Sequence, residues 1–164
     1  MLKDKKYHSG LDSLDRAILR CLQMDSSITH ARLAENVGAS IATCQRRVMR
    51  LKDSGVIRKE VALLNGKLIG RPISAICEVT LVNQAYEVLE AFEHVMQDAE
   101  QVQQCYRVSA GPDFIVILTL ADMGAYQAFA ASYLTSQQGI RNVRTFFVNH
   151  VSKFETSLPI TSPP

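Results

Sequence analysis

Apolar residues recur three or four positions apart at Leu11, Leu14, Ile18, Leu19 and Leu22 in "LDSLDRAILRCLQMD", a spacing that predicts an amphipathic helix. Asp12 or Ser13 can cap its start, and "DSS" breaks it. "THARLAENVGAS" predicts a second, shorter helix. Thr29 is its N-cap, Leu33 and Val37 face inward, and Gly38 is a left-handed stop. Ser40 caps a third helix, which carries an apolar stripe of Cys44, Val48 and Leu51 and ends at Gly55. Only about three residues around Gly38 separate the second and third helices, the layout of a helix-turn-helix. "VIRKEVALLN" alternates enough for a short β-wing or an extended exit.

"NGKLIGRP", with two glycines and a proline, reads as a linker over residues 65–72. Beyond it the period changes. "ISAICEVTLV" predicts a strand, "AYEVLEAFEHVMQ" a helix, "QVQQCYRVS" a strand and "FIVILTL" a strand. A helix capped by Asp122 and a last strand within "IRNVRTFFVNHVSKF" follow. The order β-α-β-β-α-β predicts a ferredoxin-like, four-stranded antiparallel sheet behind a winged helix-turn-helix, an α+β chain. The expected divisions are 1–64 for the helical domain, 65–72 for the linker, 73–158 for the sheet domain and 159–164 for a loosely ordered, proline-rich tail. Phe114–Leu120 has almost no polar face, whereas two helices cover only one side of such a sheet. A second copy of the sheet is the expected cover, hence a homodimer; the alternatives are a tolerated open face or cover by the helical domain.

Charge sharpens the division. Residues 1–64 hold twelve Lys/Arg against seven Asp/Glu, and residues 65–164 hold six against nine. The basic half is the candidate for nucleic acid. No run of about eighteen apolar residues predicts a membrane span, and no apolar stretch follows the basic N-terminus as in a secretory signal. The four cysteines are scattered in apolar patterns without a C-x-x-C pair, which favours buried reduced thiols over disulfides or a metal site. A cytoplasmic protein is expected, with no metal and no cofactor.

On the third helix, Thr43, Arg46, Arg47 and Arg50 lie on faces turned away from the stripe, as a helix entering the major groove requires. Ile41, Ala42, Thr43 and Arg46 are the expected base contacts. Ser40, Arg47, Arg50 and the arm lysines Lys3, Lys5 and Lys6 are the expected phosphate contacts. The plainer reading is a solvated charged face on a small bundle. No Ser/His/Asp spacing, H-E-x-x-H or G-x-x-x-x-G-K-[ST] suggests an enzyme.

The run "LDSLDRAILRCLQMDSSITHARLAENVGASIATCQRRVMRLKDSGVI" resembles the DNA-binding half of the Lrp/AsnC family, with its "LD..D..IL..L" and "LA..VG.S...C..R...L...G.I" patterns. The later β-α-β-β-α-β order is similar to that family's amino-acid-sensing domain. The resemblance spans about residues 11–158. It implies a transcription regulator built from dimers, often assembled into octamers, that binds an amino acid or related metabolite between subunits. The loop "SAGPDF" is similar to the family's "G..D" effector loop. Asp113 matches the aspartate, Ala110 stands where glycine is usual, the glycine is shifted to Gly111, and Pro112 replaces a polar or aromatic residue. Ser109 belongs to the same loop, and Arg107, Met123, Thr145, Phe146, Phe147 and Val148 fall at positions the family links with effector response. Asp113 suits an ammonium, backbone N–H groups around Gly111 a carboxylate, and Met123, Phe146 or Phe147 a side-chain pocket. Asp113 can instead simply close its turn, and Arg107 can be an exposed strand residue. Two other readings carry the same architecture: a sirohaem-decarboxylase-like enzyme, and a non-sensing partner of a related regulator.

Overall fold

The computed structural model describes residues 10–136 and 139–160. The chain divides into two units, one running through residue 62 and including the residues from 153 on, the other spanning 63–152.

In the first unit, α1 spans Ser13–Met24, α2 His30–Val37 and α3 Ile41–Asp53. Each start is set by a side chain that accepts a free N–H of the first turn. Asp12 accepts from the Asp15 N–H while the Asp15 carboxylate accepts from the Asp12 N–H, a reciprocal capping box. Thr29 serves α2 through the Arg32 N–H, and Ser40 serves α3 through the Thr43 N–H. The tight turn between α2 and α3 requires φ of 66° at Gly38, a conformation open to glycine at no steric cost. Ile18, Leu19, Leu33, Ala34, Cys44, Val48 and Leu51 form the core of the three helices. Residues 58–65 form neither strand nor helix in this chain, so no β-wing strand follows α3 here.

By their contacts, the residues from 153 on group with the helices, including part of the stretch expected to be a loose tail. The Gln23 side-chain amide donates to the Leu158 carbonyl at 3.1 Å and accepts from the Leu158 N–H at 2.6 Å, and Ile160 packs against the helical core. One glutamine thus imitates a strand neighbour for Leu158, just before the tail. Residues 161–164 lie outside the described part.

In the second unit the expected linker contains a short 3-10 turn, Gly66–Ile69, capped by Asn65. Then come β1 (Ile73–Leu81), α4 (Tyr86–Asp98), β2 (Val102–Arg107), β3 (Phe114–Leu120), α5 (Met123–Tyr133) and β4 (Ile140–Phe147). The sheet runs β2-β3-β1-β4 and every pairing is antiparallel. Alternation along β1 and β3 sends Ala75, Cys77, Val79, Leu81, Phe114, Val116, Leu118 and Leu120 to one face, where they pack with Phe92 and Met96 of α4 and Phe129 of α5. The opposite face presents Ile76, Ile115 and Ile117 half-buried, with Tyr106 and Phe146 exposed. Glu78 and Arg144, partners across β1 and β4, make an ion pair on that face. Within one chain, then, the largely apolar third strand buries one side and leaves the other half-covered.

Candidate functional site

Rotation along α3 sorts its residues. Cys44, Val48 and Leu51 are buried, so Ala42, Arg46, Met49 and Asp53, at i, i+4, i+7 and i+11, form the ridge pointing away from the core. Ile41 and Gln45 flank it on one side, both exposed. Thr43, Arg47 and Arg50 lie on the other flank, toward α1. Ser40 is occupied by capping: its hydroxyl accepts from the Thr43 N–H and donates to the Thr43 hydroxyl at 2.8 Å. The Ser40 hydroxyl is thus spent within the chain, and the N–H groups of the first turn that no side chain caps are the ones free for an anion.

The arginines have divergent surroundings. Arg46 makes no ion pair among the described residues. The Arg47 guanidinium donates to Asp12 at 2.5 Å and to Asp15 at 3.2 Å. Arg50 donates to the other oxygen of Asp15, whose side chain is wholly buried. The Asp15 N–H and then Arg47 hold the Asp12 carboxyl below its ordinary range, and Asp12 in turn raises Arg47. The two arginines expected to face phosphates are thus tied to α1, although Arg50 stays half-exposed. Met49, outside the expected contact set, shares the exposed ridge with Ala42 and Arg46, where helical periodicity places it, and Gln45 lies exposed beside it. Lys3, Lys5 and Lys6 lie outside the described residues.

The expected effector residues separate into two groups in the second unit. Arg107, Ser109, Ala110, Gly111, Pro112 and Asp113 line a cavity of about 280 Å³ at the β2–β3 loop, together with Gln84 and Leu89. Gly111 turns the loop with φ of 85°. Asp113 is buried in the wall. Its carboxylate accepts from the Leu81 N–H and from the Gln84 amide, both at 2.7 Å, while its own N–H donates to the Val79 carbonyl. It closes the loop onto the end of β1, the turn-closing role, and both oxygens already hold a donor. Arg107 is not a free strand residue: its Nε–H donates to Glu93 at 2.8 Å and its guanidinium lies over the Tyr86 and Phe114 rings. Gln84 and Leu89, absent from the expected set, had no periodic signal to mark them as cavity residues.

Met123, Thr145, Phe146, Phe147 and Val148 lie at the other end of the sheet. Phe114 pairs with Val79, whereas Phe147 pairs with Ala75, four residues along β1 and so about 13 Å away. Phe146 and Phe147 also point to opposite faces. Phe147 packs edge-on against Tyr126 of α5, and Thr145 shares a hydroxyl contact of 2.8 Å with the same tyrosine. Phe146 lies beneath Arg144 on the open face, and the Val148 N–H donates to the Ser74 carbonyl. A single chain does not bring the two groups together.

Among the described residues, no cluster of His, Cys, Asp and Glu is arranged to hold a metal ion, and no helix is long and apolar enough to cross a membrane. Burial raises the Cys77 thiol, and burial followed by Glu93 pushes Cys105 up to about 11.

A helix-turn-helix presenting Arg46 outward, joined to a ferredoxin-like domain with a loop cavity, defines a DNA-binding transcription regulator with a ligand-binding domain. Residues 11–58 match the family model for winged helix-turn-helix DNA-binding domains, and residues 74–158 match that of the Lrp/AsnC ligand binding domain. The leucine-responsive regulatory protein of Haemophilus influenzae is 36% identical over 145 residues, 88% of this chain and 87% of its own length. The crystal structure of an AsnC family transcriptional regulator from Agrobacterium tumefaciens superposes with a TM-score of 0.85 at 34% identity, covering 91% of this chain and 97% of the other. A Neisseria meningitidis transcriptional regulator in complex with L-Met gives a TM-score of 0.86 at 29% identity, covering 92% and 97%. The chain belongs to the Lrp/AsnC family and is a ligand-responsive, DNA-binding transcription regulator.

Proposed function

We propose that this regulator binds a free amino acid at the β2–β3 loop cavity, that a second copy of the chain completes the site, and that occupancy alters assembly or operator affinity. The observation that carries this reading is the cavity itself, lined by Gln84, Leu89 and residues 107–113 and large enough for a small metabolite. The L-Met complex of the Neisseria relative supports the ligand class. In this reading Asp113 keeps the cavity wall in shape. The backbone N–H groups of the loop and the guanidinium edge that Arg107 leaves free of Glu93 meet the carboxylate. Leu89 meets the side chain. Met123, Thr145, Phe146, Phe147 and Val148 lie too far along the sheet to reach the same ligand from one chain, so their part is played across an interface. The half-covered open face of the sheet supports that interface, a homodimer able to assemble further to an octamer. The reading has no enzymatic step and places the protein in the cytoplasm.

Calorimetric titration of the full chain with each of the twenty amino acids tests it, paired with operator binding in the presence and absence of any that binds. Heat from one or a few, lost in Gly111→Val, is the expected result. No heat and no thermal shift from any of the twenty overturns the sensing reading and leaves DNA binding untouched.

A further inference from the structure

Two of the three arginines on α3 are tied to α1 rather than standing on the outward ridge. Arg47 and Arg50 sit three residues apart on the flank nearest α1, and both donate to Asp15, one to each carboxylate oxygen. Asp15 also accepts from the Asp12 N–H, and Arg47 reaches the Asp12 side chain. The carboxylate has no exposed surface, so it would be costly to leave it without its cationic partners. One buried anion therefore fixes the start of α1 to the middle of α3 and decides where two guanidiniums point.

That placement bears on discrimination between DNA sequences. Arginines on phosphates strengthen binding to every sequence alike, while contacts to base edges separate one sequence from another. A regulator gains selectivity when its uncommitted cations are few and are aimed at bases. Of the three α3 arginines, Arg46 is the one with no ion pair among the described residues, and it stands on the outward ridge between Ala42 and Met49.

We propose that Asp15 is a positioning residue for DNA recognition: it latches Arg47 and Arg50 to α1, fixes the rotation of α3, and withholds sequence-blind charge from the phosphate backbone so that the Arg46 ridge reads the groove. Releasing the latch then has an effect opposite to ordinary damage. Affinity for arbitrary DNA rises while selectivity falls.

The test uses the full chain as wild type, Asp15→Asn and Asp12→Asn. The probes are a duplex enriched by the wild-type protein from a random-sequence pool and a scrambled duplex of equal length, titrated across a potassium chloride series. Asp15→Asn should bind the scrambled duplex several-fold more tightly at low salt. Its log–log salt slope should steepen by about 0.9 for each arginine that reaches a phosphate, and the enriched-to-scrambled ratio should fall about tenfold. Equal weakening on both duplexes with an unchanged slope would make Asp15 a structural residue only and overturn the latch, while the enriched duplex still upholds DNA binding itself. If circular dichroism shows that Asp15→Asn does not fold, Asp12→Asn decides. Asp12 is half-exposed and asparagine caps helices well, so α1 keeps its start while Arg47 loses a charged partner. A folded Asp12→Asn protein with a steeper slope and a lower ratio supports the latch; one with both unchanged overturns it.

Discussion

Arg46 and Arg47 are neighbours in sequence and opposite in circumstance, because one helical step of about 100° separates an outward ridge from a flank packed beside α1. Arg46→Ala should remove about 1–3 kcal/mol at one base pair of each half-site and relax the preference there. Competition with single-base variants of an enriched operator measures this, and uniform weakening across all variants would reassign Arg46 to phosphate. The sequence identified the stripe that points Cys44, Val48 and Leu51 inward, and so where Arg46 goes. It did not reveal that Asp12 and Asp15, which look like ordinary capping acids, reach across to Arg47 and Arg50. Such pairs span more than thirty residues of chain and leave no periodic trace. Cys105 is a second residue-scale case. Burial raises its folded value to about 11, above the ordinary thiol value near 9. An unfolded chain therefore loses this proton first as pH rises. The group's stabilising contribution is complete below pH 9 and disappears between pH 9 and 11. Alkylation of the native protein should accordingly be slow at Cys105 at pH 8, and Cys105→Ala should flatten the alkaline loss of thermal stability. Rapid modification at pH 8 by peptide mapping would contradict the burial argument.

Elements were legible wherever a period and a cap coincided. All three helices of the first unit begin one residue after a side chain that caps them, and Gly38 stops α2 in the left-handed region. The strand Phe114–Leu120 was visible because seven apolar-rich residues sit between turn signals. The C-terminal segment was not, since a stretch rich in proline with no period gives no reason to expect order. Its anchoring comes from elsewhere, through Gln23 on α1 and the apolar surface that receives Ile160. Removing residues 153–164 should therefore destabilise the helical unit by about 1–3 kcal/mol, from two exposed hydrogen bonds and one partly buried side chain. Amide hydrogen exchange of α1 should rise while that of β1 and β3 stays constant. Exchange unchanged in α1 would show that the segment rests on the helices without stabilising them.

At the scale of the whole molecule, the basic helical half and the acidic sheet half divide the work between DNA and ligand, and the sheet's open face bears on assembly. Ile76, Ile115 and Ile117 line its middle, Tyr106 and Phe146 remain exposed, and the Glu78–Arg144 pair sits at one side. Covering this face with a second sheet would bury the isoleucines at about 25 cal/mol per Å² of apolar surface. A glutamate at Ile115 or Ile117 would instead place an unpaired charge in that interface. Because the side chains of these two positions point away from the core formed by Phe114, Val116 and Leu118, the substitutions should leave the fold intact. We expect Ile115→Glu, Ile117→Glu and their combination to convert a dimer to a monomer at micromolar concentration, read by sedimentation velocity. A monomer also presents one recognition helix instead of two, so it should lose most of its affinity for an operator of paired half-sites while keeping weak, salt-sensitive binding to arbitrary DNA. If the proposed site is shared between two copies, any amino-acid heat seen with the wild type should vanish with the dimer, since Phe147 stands about 13 Å along β1 from Phe114 at the cavity edge in one chain. A monomeric variant that still bound ligand and operator as tightly as wild type would show that each chain is complete by itself.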